Sequence, residues 1–394
     1  MDSQKPSPRP VWGARINDRK YESLIRKESE NHVFHFPQRN HGAQKAAIRL
    51  FATLSKSLGE FKMILAGDIG GTKTTLGLFS QESGLGRPVT EKTFSSADYN
   101  SLEEIITEFF NETRPGPIEA ACFAVAGPIL SGSAGLINLK WTIRSDTLST
   151  TLGVNRVRLI NDVQAVACSV PILGKDDHST LSAGKPEKKG TVAVIAVGTG
   201  LGEAFLTWDG ASYLSHPTEG GHTDFGPGDE RQAGLLAFMS SKRGHVSWEV
   251  VCSGIGIPNI YDYLASTGEF MNTGLSQREK DSSGDRTPAI LRAALEKNSP
   301  CPLCVNTLDM FVSILGAESG NLALKTMATG GLYLGGGIPP RILKALEGTS
   351  FMEAFTAKGR LTRMMEDIPV HIITNPKAAL MGAAMEAIKM KQEP

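Results

Sequence analysis

The chain has 394 residues, 40% of them hydrophobic, and its 41 basic and 41 acidic side chains cancel to a formal net charge of zero. That length can hold two domains with real cores, and the balanced charge gives no reason to expect nucleic acid or an anionic membrane as main partner. No apolar run approaches the roughly 20 residues that crossing a bilayer requires.

Residues 1–62 stand apart, with 12 Lys/Arg against 6 Asp/Glu. Their start is Pro-rich and polar and lacks the apolar stretch of a secretory signal, while the acidic residues argue against a mitochondrial presequence. Ala43 to Leu58 has the pattern of a short amphipathic helix. Met63 immediately precedes the first strand, so residues 1–62 read as an extension, either disordered or upstream of the biological start.

From Met63 onward strands alternate with helices. Ile64 to Phe79 reads as a β-hairpin around Gly70-Gly71-Thr72. Side-chain-free glycines let backbone N–H groups crowd an anion, Thr72 adds a hydroxyl, and Asp68 beside the turn suits a hydrated divalent cation. The spacing matches neither a Walker loop nor a dinucleotide fingerprint. Ser101-Leu102-Glu103-Glu104 is a capping box that predicts a helix to about Arg114. Strands follow at Ala120 to Ala126 and Val157 to Ile160, the latter ending in Asn161-Asp162 and a helix over Val163 to Cys168. Thr191 to Val197 and Glu203 to Trp208 flank Gly198-Thr199-Gly200-Leu201-Gly202, which repeats the logic of the opening hairpin. Such an internal duplication predicts two α/β halves with a cleft between them. The chain is then mostly helical from Glu230, including Asp309 to Met327. Strand Leu332 to Leu334 enters Gly335-Gly336-Gly337, and Lys377 to Met390 reads as a helix with Pro376 in its first turn.

Of the five cysteines, only Cys301 and Cys304 are close in sequence. No second CxxC or nearby His pair completes a zinc set, so Cys301-Pro302-Leu303-Cys304 reads as a helix start. Scattered thiols in apolar segments suit a reduced, cytoplasmic protein.

Two constellations carry candidate chemistry. A carboxylate at the carboxyl end of a buried strand sits where α/β folds place ligands, and Asp162 there could accept a hydroxyl proton during phosphoryl transfer. It could equally cap the following helix. Glu219-Gly220-Gly221-His222 offers a carboxylate and an imidazole to a polar ligand held against backbone, or is simply a polar turn. Glu249 is ambiguous by itself.

The ordered segments GDIGGT, AGPI with Asn138-Leu139-Lys140-Trp141, LINDVQAV, AVGTGLG, EGGHTDFGP, GHVSWEVVCSGIG, SGNLAL, GGGIPPR and NPKAALMG resemble those of the bacterial glucokinase family. The likeness runs from about Met63 to Met390. It implies a two-domain, actin-like ATPase (ribonuclease H-like) α/β fold with an interdomain cleft. The small domain would be 63–172 plus 375–394, and the large one 173–374. It further implies ATP-dependent phosphorylation of glucose, with Asp162 as general base for the 6-hydroxyl. Asn138, Asn161, Glu219, His222 and Glu249 would hold the sugar, with the Gly200 backbone nearby. Asp68, Gly70, Gly71 and Thr72 would face the ATP phosphates, Asp68 meeting Mg²⁺ through water. Thr199 would approach the phosphates from the other domain, and Gly254, Gly336 and Gly337 would border the adenosine. The implied partners are glucose and ATP, without nucleic acid or membrane, in a possible homodimer. Related repressor/ORF/kinase sugar kinases usually carry a Cys-rich zinc motif after the EGGH-like segment, whereas Thr223-Asp224-Phe225-Gly226-Pro227 follows here. Another sugar kinase, a sugar-sensing regulator or a sugar-independent ATPase are the competing readings.

Overall fold

The computed structural model describes residues 63–80, 86–136, 139–273, 275 and 284–392. The expectations for residues 1–62 and for Asn138 lie outside the described residues.

Strand β1 (Met63–Ile69) is almost wholly buried and turns into β2 (Lys73–Ser80), pairing antiparallel from Met63↔Ser80 to Ile69↔Thr74. The expected hairpin is present. With β3 (Thr90–Ser95), β4 (Ile118–Val125) and β7 (Val157–Asn161) it forms a five-stranded sheet of order β3-β2-β1-β4-β7. Strands β5 (Ser133–Leu136) and β6 (Trp141–Arg144) form a separate hairpin. The second sheet holds β8 (His178–Ser182), β9 (Val192–Val197), β10 (Leu201–Trp208), β11 (Tyr213–Thr218), β12 (Gly331–Gly335) and β13 (Val370–Ile373). Its order is β11-β10-β9-β12-β13-β8.

Apart from the edge strand β8, the two orders correspond strand for strand. Each sheet opens with an antiparallel pair around a Gly/Thr turn, and the first strand of that pair lies parallel to the next two. The duplication suggested by the two turns is therefore a property of the whole topology. Parallel strands end at one edge. Ile69 pairs with Val125 and Val125 with Asn161, while Ala196 pairs with Gly335. Ligands of α/β sheets bind beyond such carboxyl edges.

Helix α1 (Leu102–Thr113) starts where the capping sequence stands. The Ser101 side chain accepts from the Glu104 amide at 3.3 Å, but the Glu104 carboxylate reaches back to the Asn100 amide at 2.9 Å, so the reciprocal half of the box is displaced by one residue. Helix α2 (Ser145–Leu152) precedes β7, and α3 (Asp162–Ser169) follows it. Between β11 and β12 come α4 (Glu230–Ser240), the short α5 (Trp248–Val251), α6 (Gly256–Thr267), α7 (Thr287–Ala294) and α8 (Pro302–Thr326). Cys301 caps α8 and Pro302 occupies its first turn, so the CxxC is a helix start, and the helix begins earlier than the sequence expectation of Asp309. Helix α9 (Thr349–Thr356) packs on α8, where Gly316 leaves room for the Phe351 carbonyl. Helix α10 (Ala378–Gln392) follows β13, and Pro376 falls two residues ahead of it rather than within its first turn.

Equivalent helices α3 and α10 lie between the sheets. Leu380, Ala383, Ala384 and Ala387 pack against Ile64, Ala66, Phe79 and Ala120 of the first sheet. Val163, Ala167 and Val170 pack against Val192, Val194 and Leu206 of the second. Small side chains let the two helices approach closely: a Cβ on Gly382 would lie 1.7 Å from the Ala165 carbonyl oxygen. Among the described residues no helix is long and apolar enough to cross a membrane.

Candidate active site

The first Gly/Thr turn is tightly organised. The Gly70 amide donates to the Lys73 carbonyl at 2.9 Å, so that N–H is used within the turn, whereas Thr72 is exposed. Fully buried Ser96 braces the loop from β3: its hydroxyl donates to the Gly70 carbonyl at 2.9 Å and its amide to the Thr72 carbonyl at 3.0 Å. Nothing local in the sequence marks Ser96 for this task, because the contact spans 26 residues.

Asp68 stands one residue before the end of β1, partly buried. Burial, followed by the nearby charge of Asp162, raises its carboxyl to about 6. Asp162 opens α3, and its carboxyl is likewise raised, foremost by burial and further by Glu219. The Val163 amide, donating to Oδ1 at 2.9 Å, opposes that rise. Capping falls mainly to Asn161, whose Oδ1 accepts from the amides of Val163 at 2.9 Å and Gln164 at 3.3 Å. Its Nδ2 donates to the Gly127 carbonyl at 3.2 Å, where Gly127 adopts φ +119°. Asn161 thus fixes the direction of α3, and the alternative of Asp162 as cap is not what the structure shows.

Helix α3 also reaches the second turn. Val163 packs onto Gly202, where a Cβ would lie 2.3 Å from its methyl. The Gly198 amide donates to the Gly200 carbonyl at 3.0 Å, closing the turn. The Gly254 amide donates to the Gly198 carbonyl at 2.8 Å and the Ile255 amide to the Thr199 carbonyl at 3.2 Å. Glu249, at the start of α5, accepts from the Leu201 amide at 3.0 Å. Its carboxylate fills the space beside Gly200, where a Cβ would come within 2.4 Å of Oε2. Gly336, at φ +87°, lies against the Val197 carbonyl, and the Ile338 amide donates to that same oxygen at 3.1 Å. Thr199, Gly254 and Gly336 thus gather at the end of β9, with Gly336 and Gly337 exposed.

Glu219 caps and His222 ends a one-turn 3₁₀ helix (Gly220–His222), with both side chains exposed and 3.9 Å apart from Oε2 to Nε2. Asp68, Asp162 and Glu219 therefore form one electrostatic group, while Asn161 and Glu249 serve the backbone around it. Burial and neighbouring carboxyl charge thus raise the proton affinity of Asp68 and Asp162 beside two Gly/Thr turns, the kind of backbone that can cradle an anion.

This arrangement defines a class: a phosphotransferase built on a duplicated α/β sheet, with an acidic group and Gly/Thr turns at the carboxyl edges. A sequence profile of the glucokinase family matches residues 65–390. A glucokinase of Nostoc punctiforme is 39% identical over 341 residues, covering 83% of this chain and 99% of its own. The crystal structure of glucokinase from an Antarctic psychrotroph superposes with a TM-score of 0.74 at 31% identity, covering 84% of this chain and 100% of that one. A ROK family glucokinase from Streptomyces griseus, solved in complex with glucose and AMPPNP, shares the fold with a TM-score of 0.55 at 20% identity, over 83% of this chain and 99% of its own. The chain belongs to the glucokinase family and is an ATP-dependent hexose kinase.

Proposed function

We propose that the protein transfers the γ-phosphoryl group of ATP to the 6-hydroxyl of D-glucose, with Asp162 as general base. The observation that carries this reading is Asp162 itself: its charge is disfavoured by burial, helix capping falls mainly to Asn161, and it stands at the carboxyl edge beside Asp68 and Glu219. A carboxylate whose affinity for protons is raised accepts a hydroxyl proton more readily in the transition state. Exposed Glu219 and His222 would hold the sugar hydroxyls with Asn161, and Glu249 would keep the Gly200 turn in place.

The exposed turn of Gly71 and Thr72 would grip the phosphates, Thr199 would approach them from the other sheet, and Gly254, Gly336 and Gly337 would accommodate the adenosine. Asp68 would hold Mg²⁺ through water, and that cation would offset charge on the transferring group. The sheets would form the cores of a small domain (63–172 with 375–394) and a large one (173–374), which would close on glucose and exclude water. The five cysteines are all buried, in keeping with work in the cytoplasm.

A coupled assay with ATP across glucose, fructose, mannose and N-acetylglucosamine tests the assignment. Glucose should give the highest kcat/KM, and chelation of Mg²⁺ should abolish turnover. ATP hydrolysis at full rate without any sugar would overturn it.

A stability measurement probes the acidic group separately. Asp68 is raised from 3.8 to about 6, so the folded state holds more protons than the unfolded chain across that range. Its contribution is therefore complete at low pH and is lost as pH rises through about 6. Asp68→Asn removes that loss. The ligand-free variant should be more stable than wild type at neutral pH, by about 1–3 kcal/mol, while its turnover falls. Thermal melts from about pH 4 to 8 showing parallel curves for both proteins would refute this.

A further inference from the structure

The mechanism leaves several deeply buried acids unused, among them Glu203 and Glu318. Glu203, 2% exposed on β10, pairs with Ile195 of β9 and Thr218 of β11. Its side chain lies beneath the Glu219–His222 loop, and a Cβ on Gly220 would come within 1.9 Å of its Oε2. The Thr218 hydroxyl ties the same place together, donating to the Glu203 carbonyl at 3.3 Å and accepting from the Gly220 amide at 3.0 Å. The other carboxyl oxygen, Oε1, is buried without a hydrogen-bond partner.

From α8 the fully buried Glu318 sets its carboxyl near that of Glu203, close enough for its charge to act on it. Asn321 Nδ2 donates to Glu318 at 2.9 Å and Lys325 Nζ lies 3.5 Å from it, so the negative charge is better held at Glu318. Two neighbouring carboxyls in a buried site share one proton, which is then better placed on Glu203. Burial, with the charge of Glu318 next, pushes Glu203 up to about 8. Among the described residues the pair is also near Cys252, whose thiol is raised well above its usual value by burial, and Lys358, whose ammonium is lowered by burial. Lys358 donates to the Ala317 carbonyl at 2.9 Å and to Asn321 Oδ1 at 2.8 Å.

We propose that Glu203 in its protonated form is a positioning residue for sugar binding: a neutral carboxyl under Gly220 seats the Glu219–His222 loop, and loss of its proton places a charge beneath Glu219 that unseats it. The inference rests on reading that loop as a sugar contact. It concerns the affinity for sugar and leaves the proton transfer at Asp162 untouched.

The test is kcat and KM for glucose from about pH 6 to 9 in wild type, Glu203→Gln and Glu318→Gln. Glucose binding is followed in parallel by tryptophan fluorescence, since the Trp248 amide donates to the Thr223 carbonyl at the end of the loop. In wild type, KM should rise about tenfold across the upper half of that range, one factor of ten per pH unit above the titration, with kcat little changed. Glu203→Gln should hold KM flat. Glu318→Gln should move the rise to lower pH, because Glu203 then loses its proton more easily. An unchanged alkaline rise in Glu203→Gln, or a rise moved upward or left in place by Glu318→Gln, overturns the proposal. Thermal melts separate this from failure of the sugar reading. The fall in wild-type stability as pH climbs from about 4.5 to about 8 should be shallower in Glu203→Gln whether or not glucose binds, and equal slopes refute the shared proton.

Discussion

Replacing Asp162 by alanine is expected to lower kcat by about 10²–10⁴-fold, the range a positioned general base contributes, with the fold retained. The helix it opens keeps its N-cap without it, because Asn161 accepts from the Val163 amide, which it shares with Asp162, and from the Gln164 amide, and is itself anchored to the Gly127 carbonyl. Removing Asp162 also relieves Asp68 of a neighbouring negative charge, so the variant should melt no lower than wild type at neutral pH. Steady-state kinetics with a coupled assay, together with a circular-dichroism melt, checks both halves. Near wild-type turnover would remove the base from the mechanism. A collapsed melting transition would instead make Asp162 a structural group.

Gly382→Ala should destabilise the protein, against helix propensity. In an open helix interior, alanine is favoured over glycine by about 1 kcal/mol. Here the added Cβ would lie 1.7 Å from the Ala165 carbonyl oxygen and 3.0 Å from the Ser169 amide nitrogen, both backbone atoms of α3. Backbone of a packed helix cannot swing aside as a flexible side chain can, so α10 must move away, and overpacking of this kind costs about 1–3 kcal/mol. The melting temperature should fall by a few degrees. Activity should fall more than stability alone explains, because α3 carries Asp162 at its other end. A variant as stable as wild type would show that the helices are farther apart than described.

Much of the candidate site was legible because its patterns are local. Asp68 with Gly70-Gly71-Thr72, and Asn161-Asp162 after a buried strand, are short segments whose residue types already suggest a chemistry. The repeated apolar strand and Gly/Thr turn at Thr191 to Trp208 likewise foreshadowed the matching sheet orders. What sequence left undecided were tasks set by distant partners. Whether Asn161 or Asp162 caps α3 depends on Gly127, 34 residues away. Glu249 read as an ambiguous helical acid because its partner, the Leu201 amide, is 48 residues distant. Ser96 and Glu203 drew no notice, since a serine in a polar run and a glutamate in an alternating strand are ordinary until the elements packed on them are known. Strands β3 and β11 were similarly unmarked: both are polar and only partly buried, and their place follows from pairing with β2 and β10.

The crossing of α10 beneath the first sheet bears on how the protein is made. Ile64, Ala66, Cys122 and Ala124 find their cover in Leu380, Ala383 and Ala387, which leave the ribosome roughly 320 residues after the first strand. At about 5–20 residues per second, that is a wait of roughly 15–60 s. During synthesis that face of the opening sheet lacks most of its native cover until α10 emerges.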